Sequence, residues 1–180
     1  EYFDSRRFSK DSCVLERLDP TIRFFFGEGS PSPEKIKPER FSIRWDGSVK
    51  PTETGRYDFI IRTNQAVRVY VNETTATEPL IDAAVKSGNE QQYQAGISLL
   101  GGRAVPLRVE FTKGRQGVAK AGQDNPNTDA FIELLWTPPH GLTEVIPERC
   151  LCPDPSPETY VLVTSFPPDD VSTGYERGSL

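Results

Sequence analysis

Apolar residues recur at every second position along most of this 180-residue chain and almost nowhere at helical spacing. Phe41, Ile43 and Trp45 alternate with Ser42 and Arg44; Tyr57, Phe59 and Ile61 enclose Asp58 and Ile60; Val67, Val69 and Val71 enclose Arg68 and Tyr70. The pattern returns in Tyr93, Ala95, Ile97 and Leu99, in Val105, Leu107, Val109 and Phe111, and in Ile132, Leu134 and Trp136, with weaker runs at 21–26 and 160–164. Strand side chains project alternately to the two faces of a sheet, so each run reads as a strand with one buried face. Turn residues punctuate the runs at Asp46-Gly47, Thr54-Gly55, Gly101-Gly102, Lys113-Gly114 and Pro138-Pro139. Short strands separated by tight turns predict an all-β, antiparallel sandwich or barrel. Its inner faces are expected to include Phe41, Ile43, Trp45, Phe59, Val69, Leu107, Val109, Leu134 and Trp136, and Glu78 to Lys86 is the stretch that could hold a short helix.

Composition narrows the function. With 36% hydrophobic and 10% aromatic residues the chain can build a packed core. Its apolar stretches fall well short of the roughly 20 residues of a bilayer span, so no membrane span is expected. A net charge of -5 makes nucleic acid a poor partner, because phosphate backbones are held by clustered cations. The single histidine, His140, lies in a Pro-Pro-His-Gly turn, which rules out His-His metal motifs on this chain. Methionine is absent, which predicts a processed or excised piece with any secretion signal removed before Glu1. Beyond Cys152 the character changes: residues 153–180 hold five acids against Arg177 and five of the 16 prolines, leaving 20 basic and 21 acidic residues before them. One domain over 1–152, followed by a Pro-rich acidic linker at 153–180, is therefore expected.

The order of strands and turns then becomes specific. Glu1-Tyr2-Phe3, Asp19-Pro20-Thr21-Ile22, Gly29-Ser30-Pro31, Phe41-Ser42-Ile43-Arg44-Trp45-Asp46-Gly47 and Thr54-Gly55-Arg56-Tyr57-Asp58-Phe59 resemble the front half of the PA-14 domain. Val67-Arg68-Val69-Tyr70-Val71, Leu80-Ile81-Asp82, Gly101-Gly102, Val105 to Phe111 and Leu134-Leu135-Trp136-Thr137-Pro138-Pro139 are similar to its back half, so residues 1 to about 148 are covered. The resemblance implies a jelly-roll-like β-sandwich, found in secreted adhesins, toxins and glycoside hydrolases, that often binds carbohydrate. A second likeness, at Phe166-Pro167-Pro168-Asp169-Asp170 and Gly174-Tyr175-Glu176-Arg177-Gly178, implies a junction leading to downstream domains of a large secreted bacterial protein. A secreted, periplasmic or cell-surface location follows from the same resemblance.

In lectin branches of this family, paired aspartates before the Val67 strand and a second loop hold one calcium. This chain carries Asn64-Gln65-Ala66 in place of Asp-Asp-Gly, so two carboxylates have become neutral amides and the strongest charge at a hard-cation site is missing. The second loop, Lys113 to Asp129, keeps Asp124, Asn125, Asn127 and Asp129 as oxygen donors. Candidate ligand residues are thus Asn64, Gln65, Asp124, Asn125, Asn127 and Asp129, with weak calcium binding expected at Asp124 and Asp129 and a polysaccharide or glycan as partner. The competing readings for Trp45, Trp136 and Gly101-Gly102 are core packing and a tight turn.

Cys13 stands near the start of the domain, and Cys150 and Cys152 at its end. Bridging Cys150 to Cys152 would be strained, whereas joining Cys13 to one of them would stabilise the fold by about 4 kcal/mol in the chain-entropy model. A thiolate metal site would need a fourth ligand. No spaced carboxylate pair suited to glycoside hydrolysis stands out. The expected function is a non-catalytic carbohydrate-binding module, and the alternative is a structural or interaction spacer that has lost the sugar site.

Overall fold

A computed structural model describes residues 1–72, 77–84, 91–114 and 129–153. Among them lie twelve strands: β1 (Tyr2–Phe3), β2 (Cys13–Leu15), β3 (Arg23–Gly27), β4 (Phe41–Val49), β5 (Gly55–Thr63), β6 (Ala66–Val71), β7 (Ile81–Ala83), β8 (Gln92–Leu99), β9 (Val105–Lys113), β10 (Ala130–Thr137), β11 (Glu144–Val145) and β12 (Leu151–Cys152). Two sheets form. One runs β2-β1-β4-β9-β6-β7 with β12 also on β4, and the other runs β11-β10-β5-β8 with β3 also on β10. Every pairing is antiparallel.

The alternation read from the sequence is what closes the sandwich. Phe41 and Ile43 of β4, Val67, Val69 and Val71 of β6, and Val105, Leu107, Val109 and Phe111 of β9 form one inner face. Tyr57, Phe59 and Ile61 of β5 and Ile132, Leu134 and Trp136 of β10 form the other. Two inward-facing sets meeting across one interior remove both from water, which is the main stabilisation available to such a sheet pair. Tyr2, Phe3 and Ile36, outside the alternating runs, are also buried.

Four expectations are corrected. Asp46-Gly47 is not a turn: β4 continues through it to Val49, paired with β9 from Phe41↔Lys113 to Val49↔Val105. Glycine is needed there because a Cβ on Gly47 would collide with the carbonyl oxygen of Cys152, at the end of β12. The segment expected to be helical carries β7, which pairs with β6; its buried-exposed-buried alternation spans only Ile81 to Ala83, too short a run to stand out in the sequence. Trp45 points inward but is only partly buried, packed against the core from its margin.

The fourth concerns the cysteines. All three are free thiols. Phe3 of β1 pairs with Ser42 and with Cys13, whereas Cys152 pairs with Ser48. Six residues of extended strand therefore separate the levels of Cys13 and Cys152, about 20 Å, far beyond the ~7 Å limit for disulfide Cα atoms. Cys150 lies further along still, its carbonyl accepting from the Lys50 amide. The two ends of the domain do meet on one edge of β4, but end to end rather than side by side. Residues 160–164 lie outside the described residues. Among those described, no helix is long and apolar enough to cross a membrane.

Candidate functional site

Strand registers gather several loops at one end of the sandwich. β5 ends at Thr63, opposite Ile132 near the start of β10; β6 begins at Ala66, opposite Thr112 near the end of β9; and Lys113, the last residue of β9, faces Phe41, the first of β4. The β5–β6 turn therefore sits beside the start of β10. Thr63 Oγ1 donates to the Phe131 carbonyl at 2.8 Å and accepts from the Gln65 amide at 3.1 Å.

The two amides singled out from the sequence converge on one atom. Asn64 Nδ2 and Gln65 Nε2 donate to the Asp129 carbonyl oxygen at 2.9 and 2.8 Å, and Asn64 Oδ1 accepts from the Phe131 amide at 3.2 Å. Their burial, at 5% and 8% exposure, demands such partners, since an unpaired buried amide is costly. The structure thus brings together Asn64, Gln65 and Asp129, with Asp129 exposed. Asp124, Asn125 and Asn127 lie outside the described residues.

One residue here escaped the sequence reading. Lys113 is 4% exposed, and its Nζ donates to the carbonyls of Gly27 and Gly29 at 3.2 and 3.1 Å while lying 5.6 Å above the Phe41 ring. Gly27 at φ 54° takes the left-handed backbone that bends the chain past β3 and suits glycine. Burial pushes the Lys113 ammonium below the ordinary lysine range, opposed by the negative charges of Asp129, Glu28 and Glu39. The signal was in the periodicity: Val105, Leu107, Val109, Phe111 and Lys113 fall on one strand face, so the lysine stands at an inward position.

Calcium does not fit the described part of this end. Asn64 has committed its side-chain oxygen to a backbone amide, a buried ammonium stands nearby, and Asp129 is the one carboxylate of the predicted set in view. Among the described residues there is no group of three or more His, Cys, Asp or Glu placed to hold a metal. His140, at φ 61° in the turn closed by the Gly141 amide and the Pro138 carbonyl, is exposed at the far end of β10. The described hydrogen bonds hold the Asn64-Gln65 turn against Asp129 at the start of β10.

The fold and this end define an antiparallel β-sandwich domain with its polar loops gathered at one end. Residues 1–149 match the model of the PA14 domain, and the chain belongs to that family. It is 29% identical over 157 residues to the anti-sigma-I factor RsgI3 of Acetivibrio thermocellus, covering 87% of this chain and 21% of that protein. The chain thus spans about a fifth of its curated relative. A solved anti-sigma factor domain-containing protein superposes with a TM-score of 0.70 at 28% identity, over 88% of this chain and 48% of that one. The Epithelial Adhesin 9 A domain of Candida glabrata, solved in complex with Galb1-4GlcNAc, shares the fold with a TM-score of 0.53 at 14% identity, covering 73% and 66%.

Proposed function

We propose that this chain is a non-catalytic carbohydrate-binding module of a secreted or cell-surface bacterial protein, holding a glycan where the Asn64-Gln65 turn meets the loop that ends at Asp129. The observation that carries this is the convergence of both amides on the Asp129 carbonyl, which joins the two loops at their bases. The Asn64-Gln65 turn, anchored to the sheet in this way, has its side-chain amides in place before a ligand arrives, which lowers the ordering cost of binding. Asp124, Asn125 and Asn127, which share that loop by sequence, would add oxygens. The glycan complex of the adhesin domain with the same fold supports the reading. The anti-sigma relatives, of which the chain spans about a fifth and about a half, favour a longer parent protein in which this module is one part.

Calcium is expected to bind weakly, through Asp129 and Asp124 alone, because neutral amides replace the paired carboxylates. A glycan array run with and without calcium tests the proposal. Expected are hits that persist in chelator and weaken when Asn64→Ala, Gln65→Ala and Asp124→Ala are combined, with circular dichroism confirming the fold. Equal binding by the combined variant would place the site elsewhere.

A second reading, a spacer without sugar affinity, is favoured by the same hydrogen bonds: each side-chain amide already donates to the Asp129 carbonyl, and Asn64 Oδ1 already accepts from the Phe131 amide. An array without hits in either condition, with a folded chain, would select it.

A further inference from the structure

A cavity of about 810 Å³ opens in the flank of the sandwich, within the ~300–1,000 Å³ range of small-molecule sites. It exists because one edge of β4 is only partly covered. β1 pairs with Ser42 and Ile43, Glu1 extends that ladder to Arg44, and β12 pairs with Ser48 and Val49. Among the described residues no strand covers the edge at 45–47. Lys113 pairs with Phe41 and Leu107 with Gly47, so the cavity lies six strand residues, about 20 Å, from the loop end.

Trp45 lies in the cavity wall, together with Leu107 and Leu151. Its indole is fixed: Nε1 donates to Asp19 at 2.8 Å and the ring stacks on Phe24 at 5.7 Å between centroids. Around it the charges are largely self-compensated. Asp19 is held by Arg17, and Arg44 by Glu1 and Asp46. Two exposed carboxylates of the rim, Glu16 and Glu148, have no ion pair among the described residues. Arg17, 39% exposed, lines the same cavity, with its Nε engaged by Asp19 and Tyr2. An aromatic wall, carboxylate acceptors and a guanidinium donor match a polyhydroxylated ring: C–H groups against the indole, hydroxyls to the charges. The excess of acids disfavours anionic ligands.

We propose that this flank cavity is a second glycan site, taking a neutral pyranose of an oligosaccharide against Trp45, with Glu16 and Glu148 accepting its hydroxyls and Arg17 donating to them. It goes beyond the loop-end reading, since no residue of that end contributes.

The chain supplies its own reporter. Of its two tryptophans Trp136 is 1% exposed, so a sugar-induced change in emission reports Trp45. The full chain is titrated with cellotetraose, xylotetraose, mannotetraose and β-1,4-galactotetraose, and with tetragalacturonate and tetraglucosamine as charged controls. At least one neutral probe should change the emission saturably. Glu148→Gln should weaken that probe roughly fivefold or more, as loss of a charge-assisted hydrogen bond requires, and Trp45→Phe should weaken it by calorimetry. Asn64→Ala combined with Gln65→Ala should leave it unchanged. Response to none of the neutral probes, response to charged ones alone, or an unaltered Glu148→Gln variant would overturn the proposal. Calorimetric binding without an emission change would overturn it too, while leaving the loop-end reading in place.

Discussion

Replacing Asp19 by alanine should destabilise the domain more than any other single change to a polar side chain near its surface. The carboxylate, 5% exposed, receives Tyr2 OH at 2.5 Å, Trp45 Nε1 at 2.8 Å and Arg17 Nε at 2.8 Å. Tyr2 is itself fully buried and Arg17 lies 4.6 Å over its ring, so one carboxylate organises three side chains drawn from β1, β4 and the β2–β3 connection. Hydrogen bonds to a charged group contribute about 1.5–3 kcal/mol each. The two neutral donors thus amount to about 3–6 kcal/mol, and the exposed Arg17 pair adds at most about 1. Partial relaxation brings the expected loss for Asp19→Ala to about 3–5 kcal/mol. Tyr2→Phe removes one donor and should cost about 1–2 kcal/mol. Urea unfolding followed by circular dichroism measures both, and at a slope near 2 kcal/mol/M the Asp19→Ala midpoint should fall by about 1.5–2.5 M. A double-mutant cycle between Asp19→Ala and Tyr2→Phe should show coupling above ~1 kcal/mol. A loss below 1 kcal/mol for Asp19→Ala, with no coupling, would refute the clamp.

Alkaline stability should carry two opposite slopes. Burial, then the Asp19 hydrogen bond, raises the Tyr2 phenol above its ordinary value near 10, so its contribution is complete below pH 10 and is lost as pH rises beyond it. Burial lowers Lys113, so below pH ~10.5 the unfolded chain holds the extra proton and stability climbs toward that pH. Urea midpoints from pH 8 to 11.5 should show a rise that Lys113→Met removes and a fall that Tyr2→Phe removes; profiles unchanged by either variant would contradict these assignments. Leu134→Ala, at a 1% exposed core position, should cost about 2–5 kcal/mol in the same assay. Gly47→Ala should cost about 1–3 kcal/mol because its methyl meets the Cys152 carbonyl; an unchanged midpoint would mean β12 is not docked there. Thiol titration of non-reduced protein should find three free cysteines, Cys150 reacting slowly because burial raises its thiol and hides it. A Cys13–Cys152 crosslink on peptide mapping would contradict the register of β1 and β12.

Sequence alone determined the strands and their facing. A period of two is a property of the extended backbone itself, so Phe59, Val69, Leu107 and Leu134 declared their buried side without reference to any neighbour. The same period places Lys113 inside, at a position that the sequence reads as the Lys113-Gly114 turn. The family was legible for the same reason, since its motifs are turns and strands kept in order.

What the chain could not declare was who lies beside whom. Asp46-Gly47 carries the composition of a turn, and only the end of β12, paired at Ser48, shows the glycine to be a gap left for the Cys152 carbonyl. Cys13 and Cys152 are brought to one edge of β4, yet six residues apart along it, a separation set by the register of two short strands that no local pattern encodes. Asn64 and Gln65 read as ligand amides because side-chain chemistry is visible in a sequence and hydrogen-bond partners are not. Their commitment to the Asp129 carbonyl, like the joining of Tyr2 and Trp45 around the Asp19 carboxylate, depends on contacts between segments 17 to 65 residues apart. Periodicity belongs to one strand, whereas a site belongs to several, and only the packed fold decides which of them meet.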